Sequence, residues 1–218
     1  MDLRVMLPIN NEFEIYDFTT NSWRGLGVAT DWFLPQYGHG VSVKGNTYRI
    51  ATQAQSPHTN FLLSFDFSTE RFQNLSLPQP FPFNISALSV VKDEQLCLLG
   101  GFYTEDTLHV WVKTSPDESV MSWSKVLTVK AKSEINSIGF SFLADEENKA
   151  VVYCNHYTHH NKILHIVGGN EVIQVDPLDL SSTIGPSSYP HLLNYVPSLA
   201  QIRNGTLLER RKREEQSM

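Results

Sequence analysis

The sequence predicts an all-β chain of short antiparallel strands, and three observations carry that prediction. Helical periodicity is scarce. Apolar and polar residues instead alternate, as in Phe13-Glu14-Ile15-Tyr16-Asp17-Phe18 and Val41-Ser42-Val43-Lys44, the period-two pattern of a strand. Short apolar runs such as Leu96-Cys97-Leu98-Leu99 and Ala150-Val151-Val152-Tyr153 add further strands. Turn formers interrupt them at short intervals, in Lys44-Gly45-Asn46, Lys92-Asp93-Glu94 and Asp145-Glu146-Glu147-Asn148, as expected of a sandwich, barrel or propeller.

Internal repetition separates those alternatives. Tyr16-Asp17-Phe18-Thr19-Thr20-Asn21-Ser22-Trp23 returns 49 residues later as Phe65-Asp66-Phe67-Ser68-Thr69-Glu70-Arg71-Phe72. A looser third copy runs from Val110-Trp111-Val112 through an insertion to Trp123, 51 residues after Phe72. A fourth is suggested at Val175-Asp176-Pro177, 110 residues after Asp66 and so two longer periods on. Hairpin sequences lie at residues 40–48, 89–96 and 140–146. A period near 50 holding four short strands is the size of a propeller blade. The chain is therefore expected to form a kelch-like or propeller-like array of about four antiparallel blades, with an incomplete or open array as the variant.

The repeated residue types have mechanical reasons. The carboxylates of Asp17, Asp66 and Asp176 suit the backbone N–H groups of a following turn, and Thr, Asn and Ser favour such turns. The aromatic six residues later (Trp23, Phe72, and Trp123 in the copy that also holds Trp111) is expected to pack between neighbouring sheets and bury a large apolar area. Gly100-Gly101 and Gly168-Gly169 would end inner strands where backbones crowd.

Length and composition bound the rest. With 218 residues the chain holds one domain of ordinary size, or one and a half, and 18% charged with 11% aromatic residues excludes wholesale disorder. Two cysteines, Cys97 and Cys154, make no disulfide framework and point to a reducing compartment. The formal charge of −6 argues against a global nucleic-acid-binding surface. No apolar stretch approaches the roughly 20 residues of a membrane span, and the opening Met1-Asp2-Leu3-Arg4-Val5-Met6-Leu7-Pro8 turns polar too soon for a signal peptide. The expectation is a soluble protein of the nucleus or cytoplasm, free of membrane and nucleic acid. Residues 1–12 read as a short N-terminal remnant, 13–204 as the β domain and 205–218 as a charged, disordered tail. Its Arg210-Arg211-Lys212-Arg213 run is flanked by glutamates and reads as a solvated end, with a nuclear import address as the alternative.

The Tyr-Asp…Trp and Gly-Gly pattern resembles a degenerate kelch repeat. Its wording is closer still to the plant F-box-associated interaction domain. The matching phrases are Phe13 to Phe18 with Asn21-Ser22-Trp23-Arg24, Gly40 to Tyr48, Leu62 to Phe72, Glu94-Gln95-Leu96, Trp111-Val112, Ser122-Trp123-Ser124-Lys125, and Tyr195 to Ile202. They run in order from about Asn11 to Ile202. The resemblance implies a substrate-recognition module of cullin-RING ubiquitin ligases: it presents target proteins for ubiquitination and performs no chemistry. In that family an N-terminal F-box docks on the ligase adaptor. Only about ten residues stand before Phe13 and none reads as an amphipathic helix, so adaptor docking is expected only if an F-box is supplied elsewhere. A truncated relative without independent function is one alternative.

Constellations that would carry chemistry do not assemble in the sequence. Cys154-Asn155-His156-Tyr157-Thr158-His159-His160, followed by His165, has zinc-ligand residue types, but it reads as a polar hairpin tip between two apolar runs. Gly40-Val41-Ser42-Val43-Lys44-Gly45 is not the G-x-S-x-G of a nucleophile elbow, and Gly38-His39-Gly40 lacks the third glycine of a dinucleotide site. No catalytic residue, metal ligand or cofactor is assigned. A glycan- or small-ligand-binding propeller, or an enzyme on the same scaffold, is the rival class. For binding an unknown target protein, the candidates are loop residues outside the repeat: Asp31, Trp32 and Tyr37, Phe102 and Tyr103, and His156, Tyr157, His159 and His160. Trp32 and Phe33 have a competing role as filling between blades.

Overall fold

The computed structural model describes residues 4–9, 12–35, 38–81, 83, 85–91, 95–102, 104–115, 121–130, 140–157, 161–168, 171–175 and 192. Among them every regular element is a strand, and the strands form four antiparallel sheets, none closed into a barrel. Sheet I joins β1 (Arg4–Ile9), β2 (Glu12–Asp17) and β3 (Ser22–Gly25) in that order. Sheet II holds β4 (Trp32–Phe33), β5 (Val41–Val43), β6 (Asn46–Gln53), β7 (Ser56–Asp66) and β8 (Arg71–Leu75), with β4 and β5 both pairing β6. Sheet III runs β9 (Ile85–Val91), β10 (Gln95–Gly101), β11 (Thr107–Lys113) and β12 (Trp123–Lys130). Sheet IV runs β13 (Ser141–Asp145), β14 (Ala150–Tyr157), β15 (Asn161–Gly168) and β16 (Glu171–Val175). Four consecutive antiparallel meanders agree with the predicted array of about four blades.

The first sheet begins earlier than the alternation pattern suggests. That pattern starts the domain at Phe13, yet β1 pairs β2 from Arg4↔Asp17 to Ile9↔Glu12. β-Branched Val5 and Ile9 favour a strand, and Pro8 is tolerated because β1 lies at the edge of the sheet.

The repeated aspartates do what their position demands. Asp17 Oδ1 accepts the N–H groups of Thr19 at 2.8 Å and Thr20 at 3.4 Å. Asp66 Oδ1 accepts those of Ser68 at 2.7 Å and Thr69 at 3.4 Å; the Ser68 hydroxyl also donates to Oδ1 and the Thr69 hydroxyl to Oδ2. Four residues after each aspartate the chain turns left-handed, at Asn21 (φ 53°) and Glu70 (φ 55°). Asp145 repeats the device with Glu147 N–H and Asn148 N–H, both at 3.1 Å, and Lys149 at φ 50°. It lies between the first and second strands of its sheet, whereas Asp17 and Asp66 each precede the last strand. Asp176 lies outside the described residues.

Three apolar clusters join the sheets in sequence. Phe13 of sheet I meets Trp32, Ala51, Phe61, Leu63 and Phe72 of sheet II. Val43, Tyr48, Leu62 and Leu75 of sheet II meet Leu96, Leu98, Trp111 and Trp123 of sheet III. Cys97, Leu99 and Val110 on the opposite face of sheet III meet Phe142, Val151, Tyr153 and Val167 of sheet IV. In β10, Leu96 to Gly101 are all buried because consecutive side chains serve two interfaces. Gly100 is required there: a Cβ would stand 2.5 Å from a Phe83 ring carbon. This glycine pair ends β10, an inner strand flanked by β9 and β11, as expected.

Of the three repeat aromatics, two pack as expected. Phe72 sits 4.9 Å from the Phe13 ring and 5.3 Å from the Trp32 ring. Trp123 packs against the cluster between sheets II and III, and its Nε1–H donates to the Ser76 carbonyl at 2.9 Å. Trp23 does not pack this way. It is 46% exposed, because Phe72 and Trp123 each face the preceding sheet and no described sheet precedes sheet I.

Candidate protein-binding loops

Three of the proposed binding stretches fall at equivalent places. β4 lies opposite the end of β6 (Trp32↔Gln53), which sets Asp31 beside the β6–β7 turn. Its carbonyl accepts Ala54 N–H at 2.8 Å, and its Oδ2 accepts Gln53 Nε2–H at 2.8 Å. β9 starts at Ile85 opposite Gly101, so Phe102 opens the β10–β11 connection at that same end. β13 starts at Ser141 opposite Cys154, and β14 continues to Tyr157, so His156 and Tyr157 lie at that end of sheet IV. Each stretch therefore lies at the end where the chain enters its sheet, at the connection between the central strands.

The individual residues differ in availability. Asp31 is exposed. Trp32 is buried, with its ring 5.4 Å from Phe13 and 5.3 Å from Phe72, so it fills the gap between sheets I and II and cannot anchor a partner. Strand alternation turns the next side chain outward, and Phe33 is 40% exposed. Phe102 is half-buried, its ring 5.3 Å from that of Phe83. His156 and Tyr157 are placed in β14 opposite Lys162 and Asn161. Tyr37, Tyr103, His159 and His160 lie outside the described residues. Sequence reasoning missed the aromatic surface of Tyr16, Phe18 and Trp23, whose rings touch at 4.7 and 5.0 Å. The available signal was their place in the first copy of the repeat.

The histidine-rich segment does not gather ligands where it is described. Cys154 pairs Leu164 and Tyr153 pairs His165, so Cys154 and His165 project from opposite faces of sheet IV. The His165 ring lies stacked on Tyr153 at 4.7 Å. Among the described residues no three His, Cys, Asp or Glu side chains come together as metal ligands. Cys97 is no nucleophile: burial above all, and then the Glu146 charge, push its thiol pKa far up.

The other shifted groups answer to their own packing. Burial lowers the Arg49 pKa while its Nη2 donates to the Gly38 carbonyl at 2.6 Å. Burial, and then the Arg49 charge, lower that of His39. His109 is lowered by burial and Lys125, with Glu105 opposing. The Ser68 hydroxyl lowers the Asp66 pKa most, slight burial opposes it, and the Ser68 N–H and the Thr69 groups add to the lowering. Asp66 lines a cavity of about 300 Å³ with Asn46, Ser64, Thr69, Arg71, Phe72 and Gln73. That cavity sits by the β7–β8 turn, at the opposite end of sheet II from Asp31.

With this geometry in place, comparison with known proteins is decisive for the family. The family model described as the F-box associated beta propeller domain matches residues 4–202. The chain belongs to that family. The match opens at the first residue of β1. An Arabidopsis thaliana relative carrying the name F-box protein At3g23260 is 49% identical over 200 residues, which are 88% of this chain and 53% of the relative. A second, F-box protein At5g47300 of the same plant, is 40% identical over 206 residues, 90% of this chain and 49% of the relative. A third carries the name F-box/kelch-repeat protein At3g22730, at 40% identity over 200 residues, 89% of this chain and 53% of that protein. The chain thus spans about half the length of the curated relatives it matches.

Proposed function

We propose that this F-box associated domain is a non-enzymatic recognition module that binds a target protein for a cullin-RING ubiquitin ligase, with the F-box that docks the ligase adaptor supplied elsewhere. Membership of a family whose relatives are named as F-box proteins carries the reading. The loops at the entry ends of sheets II, III and IV are the binding surface. Asp31 and Phe33 offer an acceptor and an aromatic ring side by side, and Phe102 contributes the edge of a half-buried ring. Exposed aromatics on a rigid scaffold supply the anchors from which interface energy is drawn. The module acts in the nucleus or cytoplasm, without membrane or nucleic acid as partner.

Proximity labelling in plant cells tests this. The chain is expected to mark a reproducible set of proteins, and Phe33→Ser combined with Asp31→Ala is expected to lose most of that set without changing the melting temperature by more than a few degrees. An unchanged set would reject these loops, and no reproducible set would reject the module. The purified 218-residue chain is expected not to retain the ligase adaptor on a column, and retention would overturn the supplied-elsewhere clause.

A further inference from the structure

The face of sheet II turned toward sheet III changes character along its length. Register places Ile50, Leu62 and Leu75 in one row, Tyr48, Ser64 and Gln73 in the next, and Asn46, Asp66 and Arg71 in the last. Strand alternation sets all three rows on one side, and Tyr48, Leu62 and Leu75 are the members packed against sheet III. The apolar row lies toward Asp31 and the most polar row at the β7–β8 turn. The cavity of about 300 Å³ opens over the two polar rows. Its size is at the lower end of small-ligand pockets, about 300–1,000 Å³, and far above the roughly 10–15 Å³ that one buried water needs.

Three of the groups lining it have hydrogen-bonding capacity to spare. Ser64 is only 6% exposed, yet among the described residues its hydroxyl has no partner, a costly state for a buried hydroxyl. Among those residues the exposed Arg71 guanidinium also makes no ion pair or hydrogen bond. Asp66 stands directly opposite it, but that carboxylate faces its own turn, where it takes four donors from Ser68 and Thr69. The Gln73 amide is likewise uncommitted. Arg71 offers five N–H groups in a planar fork that matches a carboxylate, and Ser64 and Gln73 add an O–H and an NH₂ group. A lone guanidinium near the Asp66 charge suits a singly charged anion better than a phosphate group of about −1.5 to −2. The formal charge of −6 gives the chain no general attraction for anions, so local donors must hold one.

We propose that this cavity binds a carboxylate, with Arg71 paired to its two oxygens and Ser64 and Gln73 completing the donor set. The carboxylate belongs to a small organic acid or to a glutamate side chain of another protein, two sources with one chemistry. The site is independent of the target-binding loops, which lie at the other end of sheet II.

Titration of the full 218-residue chain, followed by backbone amide shifts, tests it. The probes are butyrate and a blocked tripeptide with a central glutamate, against butyramide and the glutamine tripeptide as uncharged counterparts. At least one carboxylate is expected to saturate shifts at residues 64–73 while its uncharged counterpart does not. Saturation by butyrate identifies a free acid as sufficient, and saturation by the tripeptide alone identifies a protein side chain. Arg71→Gln is expected to weaken binding about tenfold or more, and Arg71→Lys to recover only part of it. Ser64→Ala is expected to weaken binding about two- to tenfold, yet to melt no lower than wild type, since it removes a hydroxyl without a partner. No saturable shift with either carboxylate would overturn the proposal, as would equal binding of the uncharged probes or equal binding by Arg71→Gln. Tighter binding of inorganic phosphate would overturn the choice of a carboxylate. A Ser64→Ala chain that melts several degrees lower would place that hydroxyl in the fold and not in a site.

Discussion

Sheets I and III are built from similar strands and meet opposite fates. β10 of sheet III has Leu96, Cys97, Leu98 and Leu99 all at 1% exposure or less, while every residue of β3 in sheet I is exposed. Both sheets carry a repeat tryptophan close to the same place in the hairpin, yet Trp123 is tied to Ser76 of the preceding segment and Trp23 stands in solvent. The difference lies outside the strands. Among the described residues sheet III has a neighbour on both faces, and sheet I meets one on the side of Phe13. Burial here belongs to the stack, and an isolated blade could not supply it.

The largest expected effect would break this comparison if it failed. Leu98→Ala in sheet III should cost about 2–5 kcal/mol in denaturant unfolding, because neighbours on both sides cannot collapse into the cavity. Trp23→Ala in sheet I should cost less than about 1 kcal/mol, as surface substitutions usually do. Equal losses would show that sheet I is packed as fully as sheet III.

A second variant sharpens the same contrast. Gly100→Ala forces a methyl group against the Phe83 ring and should cost about 1–3 kcal/mol by overpacking. Gly25→Ala in β3, with nothing within 4 Å of the new Cβ, should leave the unfolding midpoint almost unmoved. A smaller effect isolates one polar tie: Trp123→Phe keeps a ring between sheets II and III but leaves the Ser76 carbonyl without its donor, for about 1 kcal/mol. A loss near zero would assign Trp123 purely to packing.

The smallest effect concerns a turn and is read through pH. The depressed carboxyl pKa of Asp66 contributes stability that is fully present above its unfolded value, about 4, and lost as pH falls through the lower folded value. Asp66→Asn should therefore destabilise the chain slightly at pH 7, and the gap from wild type should shrink toward pH 3. Thermal melts at both values check this, and a gap that widens on acidification would reverse the assigned cause.

Much of this architecture can be read from local sequence. The strand pattern, the repeat near 50 residues and the aspartate-capped turns at 17 and 66 all appear as predicted, because a turn of that kind needs only an acceptor and the N–H groups two and three residues on. Asp145 carries the same chemistry, but its turn sits elsewhere in the sheet and so falls outside the repeat. β1 was hard to see because its pairing with β2, and not its own alternation, makes it a strand. Within the candidate loops, Asp31 is exposed as expected. Trp32 is the filler between sheets I and II and Phe33 the exposed one of the pair, because it is Trp32 that points toward Phe13 and Phe72.

The sequence alone determined the β class, the blade period, the turn chemistry and the family, since each of these rests on residues a few positions apart or on phrases in fixed order. Tertiary structure alone decided which aromatic of the repeat is buried, that Cys154 and His165 project from opposite faces of their sheet, and which loop residues reach solvent. The reason is that turn hydrogen bonds are satisfied within about four residues of chain, whereas a ring is buried only when another sheet, here some 50 residues away, comes to lie against it.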